Sequence, residues 1–389
     1  MENYITKIDI KKLRHLEDIT IDFGDDKKHL ILTGKNGSGK TSLLDKLNLF
    51  ISNIFNTPNS MNKFYEYKDK LDIVDKVRHK SLYDLVTKYK DCVPTFKKEM
   101  NSDLSEFTYA FFSAKRVNKS NLPKGINKVE LSKKKTEKLN KDFLQFIVNL
   151  KAEKSFANDD NDVETVQKIN DWFNRFENML KTIFRDENLE IKFDRKNYNF
   201  TIQRTNREEF DFNTLSAGYS AIIDIITELI LKIETTPSKS FECNGIVLID
   251  EIENHLHVEL QKNILPFLTT FFPNIQFIVT THSPFVLSSI ENSVVYDLER
   301  KEQLSGEKLK NASYSQIVKN YFELDSEFSN ILENDISRYK ALIEKIEKDI
   351  SIEEEKELLN LDIKLDKIAP MLSDTIYLKF KELQDELKA

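Results

Sequence analysis

Cysteine is nearly absent. Cys92 and Cys243 are the only two in 389 residues. They form no C-x-x-C pair and no disulfide framework, which fits a reducing compartment. No apolar run approaches the ~20 residues that a membrane span needs. Met1-Glu2-Asn3-Tyr4 has neither the basic nor the apolar region of a signal peptide. A cytoplasmic protein without a membrane role is therefore expected. No internal repeat is visible, and no Gln occurs between residues 41 and 144.

Charge, by contrast, is plentiful. Charged residues make up 32% of the chain and hydrophobic residues 40%, enough for a sizeable core across two or three domains. The net charge of −7 conceals an asymmetry. Residues 115–142 hold ten Lys/Arg against three Asp/Glu, and residues 323–389 hold eighteen Asp/Glu against ten Lys/Arg. The basic stretch, with Lys133-Lys134-Lys135, reads either as a nucleic-acid backbone contact or as a solvated helix face and loop.

The hydrophobic pattern predicts strands over 4–10 and 19–23, an apolar run at 29–33 and a helix over 40–55. Residues 56–105 read as a helical insertion broken by Pro58 and Pro94. A buried strand is expected at 107–112, a loop at 117–129 and helices over 130–187. A hairpin is expected at 189–193 and 198–202. Then come a helix at 216–233, a strand at 246–249, a helix at 256–271 and a strand at 276–280. Residues 310–389 read as all-helical. Alternating strands and helices, with near-continuous apolar strands, argue an α/β core around a largely parallel sheet.

Gly34-Lys35-Asn36-Gly37-Ser38-Gly39-Lys40-Thr41 is a full G-x-x-x-x-G-K-[ST] loop between an apolar run and a helical pattern. Its glycines let N–H groups turn in around phosphates at a helix N-terminus. Lys40 would reach the β- and γ-phosphates, and the Thr41 hydroxyl would hold Mg²⁺. Asp250-Glu251 directly follows the strand 246–249. Asp250 can meet the same cation, and Glu251, one residue on, is the candidate general base for an attacking water. His282 ends the next strand, where a neutral imidazole could bond the γ-phosphate or the water. Ser216 and Gly218 open the helix 216–233, a second small-residue helix start and so a second anion site. His255-x-His257 with Glu253 reads either as a metal site or as structural.

Together these motifs resemble an ATP-binding-cassette ATPase of the SMC/RecF-like branch. The loop matches that branch's G-x-N-G-S-G-K-[ST] form, including Asn36. Leu215-Ser216-Ala217-Gly218-Tyr219 is similar to its L-S-G-G-Q signature, Asp250-Glu251 to its Walker B, and His282 to its switch histidine. Arg14 sits where the branch often has a nucleotide-contacting arginine. The resemblance implies ATP and Mg²⁺ as cofactors. It implies nucleotide contacts from Arg14, Asn36, Gly37, Ser38, Gly39, Lys40, Thr41 and Ser42, with Thr41 and Asp250 on the metal. It also implies a head-to-tail dimer, or a higher oligomer, in which Ser216 and Gly218 meet the γ-phosphate of a neighbouring subunit. The implied architecture is an ATPase head from 1–55, 107–116 and 188–305. A helical lobe would come from 56–106 and 117–187, and a helical C-terminal extension from 306–389.

The Q-loop glutamine expected after strand 107–112 is missing. Either Lys115 or Arg116 takes over part of its role, or Mg²⁺ keeps an extra water. Residues 252–257, Ile-Glu-Asn-His-Leu-His, replace the usual D-loop and resemble overcoming-lysogeny-defect and related prokaryotic defence ATPases. The tail after His282 reads as too short, and differently patterned, for the appended toprim nuclease of those enzymes. The tail, with Tyr314-Ser315-Gln316-Ile317-Val318-Lys319-Asn320-Tyr321-Phe322, looks like that of PtuA-like ATPases. These partner a separate nuclease in Septu-type phage defence. The expectation is thus an ATP-hydrolysing sensor or regulator of an antiphage system with a separate effector, a nuclease first. The alternative is a RecF-like repair ATPase that binds DNA through Lys/Arg in 115–142.

Overall fold

Ile5, Ile8 and Ile10 are buried on β1 (Ile5–Leu13), and Leu16, Ile19 and Ile21 on β2 (Leu16–Asp22). The two strands pair antiparallel, with Ile8 opposite Ile21. This computed structural model describes residues 3–56, 58–68, 80–97, 104–312, 316–317, 330–346 and 350–368. The chain divides into a unit Met1–Tyr314 and a unit Ser315–Ala389.

In the first unit β3 (His29–Thr33) leads to α1 (Lys40–Asn56), α2 (Pro58–Tyr67) and α3 (Lys80–Tyr89). β4 (Cys92–Phe96) and β5 (Thr108–Phe112) follow, then α4 (Phe143–Asp159) and α5 (Val163–Phe184). The hairpin β6 (Glu190–Asp194) and β7 (Asn199–Gln203), with β8 (Phe210–Asp211), forms a three-stranded antiparallel sheet. α6 (Ala217–Glu234), β9 (Gly245–Ile249), α7 (Val258–Phe271), β10 (Ile275–Thr280) and α8 (Pro284–Leu287) come next. β11 (Ser293–Asp297), β12 (Glu302–Ser305) and α9 (Gly306–Lys310) close the unit.

The central sheet runs β12-β11-β3-β10-β9-β5. β11, β3, β10, β9 and β5 pair in parallel, and β12 joins antiparallel at the edge. The fold is therefore α/β with a parallel-dominated sheet. Every residue of β3, β9 and β10 is buried, as expected for strands covered on both faces. On one face α1 buries Leu43, Leu44, Leu47, Phe50, Ile51 and Ile54 in a cluster with Ile8, Ile10, Leu248 and Ile278. Burying each such side chain contributes about 1.5–3 kcal/mol. That cluster holds the β2-β1-β4 sheet onto the α/β layer and fixes where α1 begins.

Part of the stretch expected to be a helical insertion is strand. β4 pairs antiparallel with β1, with Pro94 opposite Ile8. A proline that breaks a helix is tolerated on an edge strand, and β4 is at the edge of its sheet. Helix also begins later than expected after Pro123: residues 130–139 are irregular and α4 starts at Phe143. α9 belongs to the first unit, where Gly306 packs so closely against Ser293 Oγ and the Ile290 carbonyl that a Cβ would not fit. In the second unit α10 (Asn330–Ile346) and α11 (Ile352–Ile368) bury Tyr339, Leu342, Leu358 and Leu365 between them. Tyr339 OH donates to Asp362 Oδ1 at 2.7 Å, and Arg338 forks onto both Glu357 oxygens. Of the 314–322 segment singled out above, only Gln316 and Ile317 lie among the described residues.

Two buried polar side chains lock β10 into place. Gln276 accepts from the Ile5 N–H at 2.8 Å and donates to the carbonyls of Ile5 and Lys28 at 2.9 and 2.7 Å. His29 Nδ1 accepts the Phe277 N–H at 3.0 Å, so the ring is neutral. Burial pulls its pKa down to about 3. The unfolded chain takes up this proton below about pH 6.5, while the folded chain does not until about pH 3. Stability should therefore fall with pH across that window, with His29 contributing a slope of up to about 1.4 kcal/mol per pH unit. Urea unfolding of the wild type and His29→Asn between pH 7 and 5 should show a shallower dependence in the variant.

Candidate functional site

β3 delivers the chain into the glycine-rich loop. Gly34, Gly37 and Gly39 have φ of +129°, +85° and +97°, which only glycine adopts without strain. A Cβ on Gly34 would lie 2.8 Å from Ser38 Oγ, and one on Gly39 would lie 2.9 Å from Leu16 Cδ1. Gly37 has nothing within 4 Å and faces open space. The Lys40 ammonium folds back onto the carbonyls of Gly34 and Lys35 at 2.7 and 3.0 Å. Burial pulls its pKa down, opposed by Glu251, Glu253 and Asp250. Ser38 Oγ is buried without a hydrogen-bond partner. A helix N-terminus, a buried lysine and an orphaned hydroxyl around an open glycine fit a phosphate group. Asn36 and Gly37 are exposed at the rim, and Ser42 is part-buried in the first turn of α1.

Three neighbouring strand ends converge here. β10 pairs with β3 on one side and β9 on the other, with Val279 beside Ile249, so Thr280 stands one residue past the end of β9, beside the Asp250-Glu251 turn. The Thr41 hydroxyl lies 3.3 and 3.2 Å from the two carboxylate oxygens of Asp250. Thr280 Oγ1 donates to Asp250 Oδ1 at 2.6 Å and accepts the Glu251 N–H at 2.7 Å. Thr41 and Asp250 thus present one hydroxyl and one carboxylate, oxygen donors suited to a hard divalent cation. Glu251 is part-buried and has φ +45°, a strained conformation for a non-glycine residue. His282 is part-buried one strand away, its backbone N–H donating to Glu253 Oε1. Burial, and then the Lys40 ammonium, hold its imidazole toward the neutral form.

The other candidates fall in two places. Arg14 is exposed, with φ +56°, at the β1–β2 turn; the following His15 and Leu16 pack over Gly39. Ser216 is the exposed N-cap residue of α6, yet its hydroxyl makes no capping bond. Gly218 is buried where a Cβ would meet the His255 carbonyl at 2.8 Å, so close packing within the chain already demands glycine there. Tyr219 stacks on Phe184 at 4.2 Å.

Some expectations change. Arg116 does not reach toward the glycine loop: it is 2% exposed, and its guanidinium is taken up by backbone carbonyls. Lys115 is exposed. His255 and His257 are both exposed, and among the described residues no group of three or more His, Cys, Asp or Glu side chains is placed to hold a metal. The basic stretch is partly committed to the fold. Lys138 pairs with the buried Asp224 at 3.2 Å, Lys134 with Glu137 at 3.1 Å and Lys128 with Glu130 at 2.7 Å, while Lys135 donates to the Ser105 carbonyl. Thr280 was missed. Its only signal in the sequence is a hydroxyl at the end of an apolar strand beside the Asp-Glu strand.

Thr280→Val keeps the shape but leaves Asp250 Oδ1 without that donor and the Glu251 N–H unpaired. It should lower stability by about 1–3 kcal/mol in chemical denaturation, the cost of orphaning buried polar groups. A midpoint equal to the parent's would show that Thr280 holds neither.

Among the described residues, no helix is long and apolar enough to cross a membrane. A Septu protein PtuA of Bacillus mycoides (strain KBAB4) is 27% identical over 321 residues, covering 78% of this chain and 41% of its own length. The "Retron Ec83 probable ATPase" of Escherichia coli is 38% identical over 114 residues, covering 28% of this chain and 21% of its own length. The chain thus spans less than half the length of either curated relative. A solved SMC head bound to the C-winged helix domain of ScpA aligns over 79% of this chain and 100% of its own, with a TM-score of 0.40 and 12% identity. The profile of one family matches residues 82–288, more than half of the chain and a span that includes Ser216, Asp250, Glu251 and His282. Lying downstream of a complete phosphate-binding loop, that match identifies the chain as a member of the P-loop ATPase family described as "AAA domain, putative AbiEii toxin, Type IV TA system".

Proposed function

We propose that the chain binds Mg²⁺-ATP in the Gly34–Thr41 loop and hydrolyses it, two copies enclosing the nucleotide head to tail. The observation that carries this reading is Thr41 Oγ1 within 3.3 Å of both Asp250 oxygens, with Glu251 next in the chain. Lys40 would hold the β- and γ-phosphates, with Asn36, Gly37, Ser38, Gly39 and Ser42 around them and Arg14 at the rim. Thr41 and Asp250 would hold Mg²⁺, which when bound neutralises phosphate charge and orients the leaving group. Glu251 takes the proton from the attacking water, and the neutral ring of His282 helps to orient that water. The exposed, uncapped Ser216 hydroxyl supports a contact to nucleotide on a second copy, with Gly218 behind it.

In the cell we assign the protein to antiphage defence, as the ATP-dependent regulator of a separate effector of the nuclease class. The Septu and retron names of the relatives support this, as does the motif style of residues 252–257. The RecF-like alternative has fewer cations to draw on than the composition of the basic stretch suggests, because Lys134, Lys135 and Lys138 already have partners within the chain.

Light scattering with and without ATP tests the dimer. Mass should double with ATP, persist in Glu251→Gln, and stay monomeric in Ser216→Arg. Turnover in Glu251→Gln should fall ~10²–10⁴-fold, the range for losing a general base, while ATP binding survives; Lys40→Ala should lose binding. A mass blind to nucleotide, together with normal turnover in Ser216→Arg, would remove the trans contact.

A further inference from the structure

The strained conformation of Glu251 is held from both sides. Its N–H is fixed by Thr280 Oγ1, as described above. Its carbonyl is fixed by Arg116, which follows β5 on a neighbouring strand end. Arg116 Nη2 donates to the carbonyls of Glu251 and Ile252 at 2.8 and 3.3 Å. Nη1 donates to those of Asp250 and Ser113 at 2.5 and 3.0 Å. Three consecutive carbonyls of the Asp250-Glu251-Ile252 turn therefore end on one planar, buried guanidinium. A rigid fork fixes their directions in a way that a single ammonium or mobile water does not. A strained residue persists only where its surroundings over-determine it, and here they do.

The same short segment is anchored at its other end to α6. The Asn118 N–H donates to Ser220 Oγ at 2.9 Å, and Asn118 Nδ2 donates to the Phe212 carbonyl at 2.9 Å. Ser120 and Asn213 exchange two further bonds of 3.0 and 3.1 Å. Ser220 lies one turn after Ser216, whose carbonyl accepts the Ser220 N–H at 2.8 Å. Residues 116–118 thus connect the main chain of Glu251 to the first turn of α6, with a hydrogen bond at each end of the short covalent segment.

We propose that Arg116 is a positioning residue for hydrolysis, aiming the Glu251 carboxylate through its backbone. Through Asn118 and Ser220, that aim is coupled to the position of α6. This rests on Glu251 being the base. Arg116 acts on the carbonyls of the turn, not on its side chains.

The test is steady-state ATP turnover of the full chain, with binding of a fluorescent ATP analogue and a melting curve, for the parent, Arg116→Lys, Arg116→Met and Ser220→Ala. Arg116→Met should lower kcat ~10–100-fold with KM within ~2-fold of the parent, the scale of loss for a displaced catalytic group. Arg116→Lys keeps the charge without the fork and should recover only part of kcat. Ser220→Ala should lower kcat several-fold at unchanged KM, with a lowered melting temperature because the buried Asn118 N–H loses its acceptor. Parent-like kcat in both Arg116 variants would overturn the positioning role, and Arg116→Lys alone decides if Arg116→Met does not fold. Parent-like kcat in Ser220→Ala would overturn the coupling to α6. A parent chain without turnover would instead remove the ATPase reading, and the role of Arg116 with it.

Discussion

The side-by-side ending of β3, β10 and β9 is the constraint on which the site depends. Parallel pairing sets Thr280 beside Leu32 of β3 and one residue past the Val279–Ile249 pair, so one hydroxyl reaches Asp250 and Glu251 together. The loop after β3, the acids after β9 and the imidazole after β10 then emerge on one edge. This is the carboxyl edge of a parallel sheet, where ligands of open α/β folds bind. The buried apolar face of α1 fixes the fourth party, because it determines where Thr41 stands relative to Asp250.

Charge at that edge is unbalanced by design of the fold. Asp250, Glu251 and Glu253 all act on Lys40, and the same three act on Arg116. Burial disfavours both cations, and the carboxylates offset only part of that. Glu253 Oε2 is buried without a partner. Such a site is poised between a surplus of acid and two partly desolvated bases. A polyanion arriving with a divalent cation would relieve both sides, which is the physical content of the functional reading.

Arg116 and α6 show how polar burial can transmit position. α6 is buried along nearly its whole length, including the row Asp224, Glu228 and Lys232. Glu228 accepts the N–H groups of Leu139 and Asn140 at 2.7 and 2.8 Å, and Lys232 donates to the Lys135 carbonyl at 2.8 Å. A row of this kind forces the segment before α4 to follow the helix, since a slip would leave several buried charges unpaired. Lysines that look available in a composition count are, in part, the far ends of these ties.

The glycine loop, the Asp-Glu pair, His282 and the strand-helix alternation were legible in the sequence, because each depends on a local pattern. A phosphate loop needs positive φ at set positions, a doubly covered strand needs a continuous apolar run, and an acid at such a strand's end is readable from order alone. β4 was not legible, because whether Pro94 breaks a helix or sits on a sheet edge depends on a partner strand more than 80 residues earlier. The contacts of Thr280 and Arg116 were not legible for the same reason. Their hydrogen bonds reach 29 to 136 residues along the chain, and nothing local marks a hydroxyl or guanidinium as facing a neighbour's backbone. The sequence by itself determined the fold class and the chemical groups of the site. Only the tertiary structure decided which of them meet, because strand order and register, not spacing, set the distances between them.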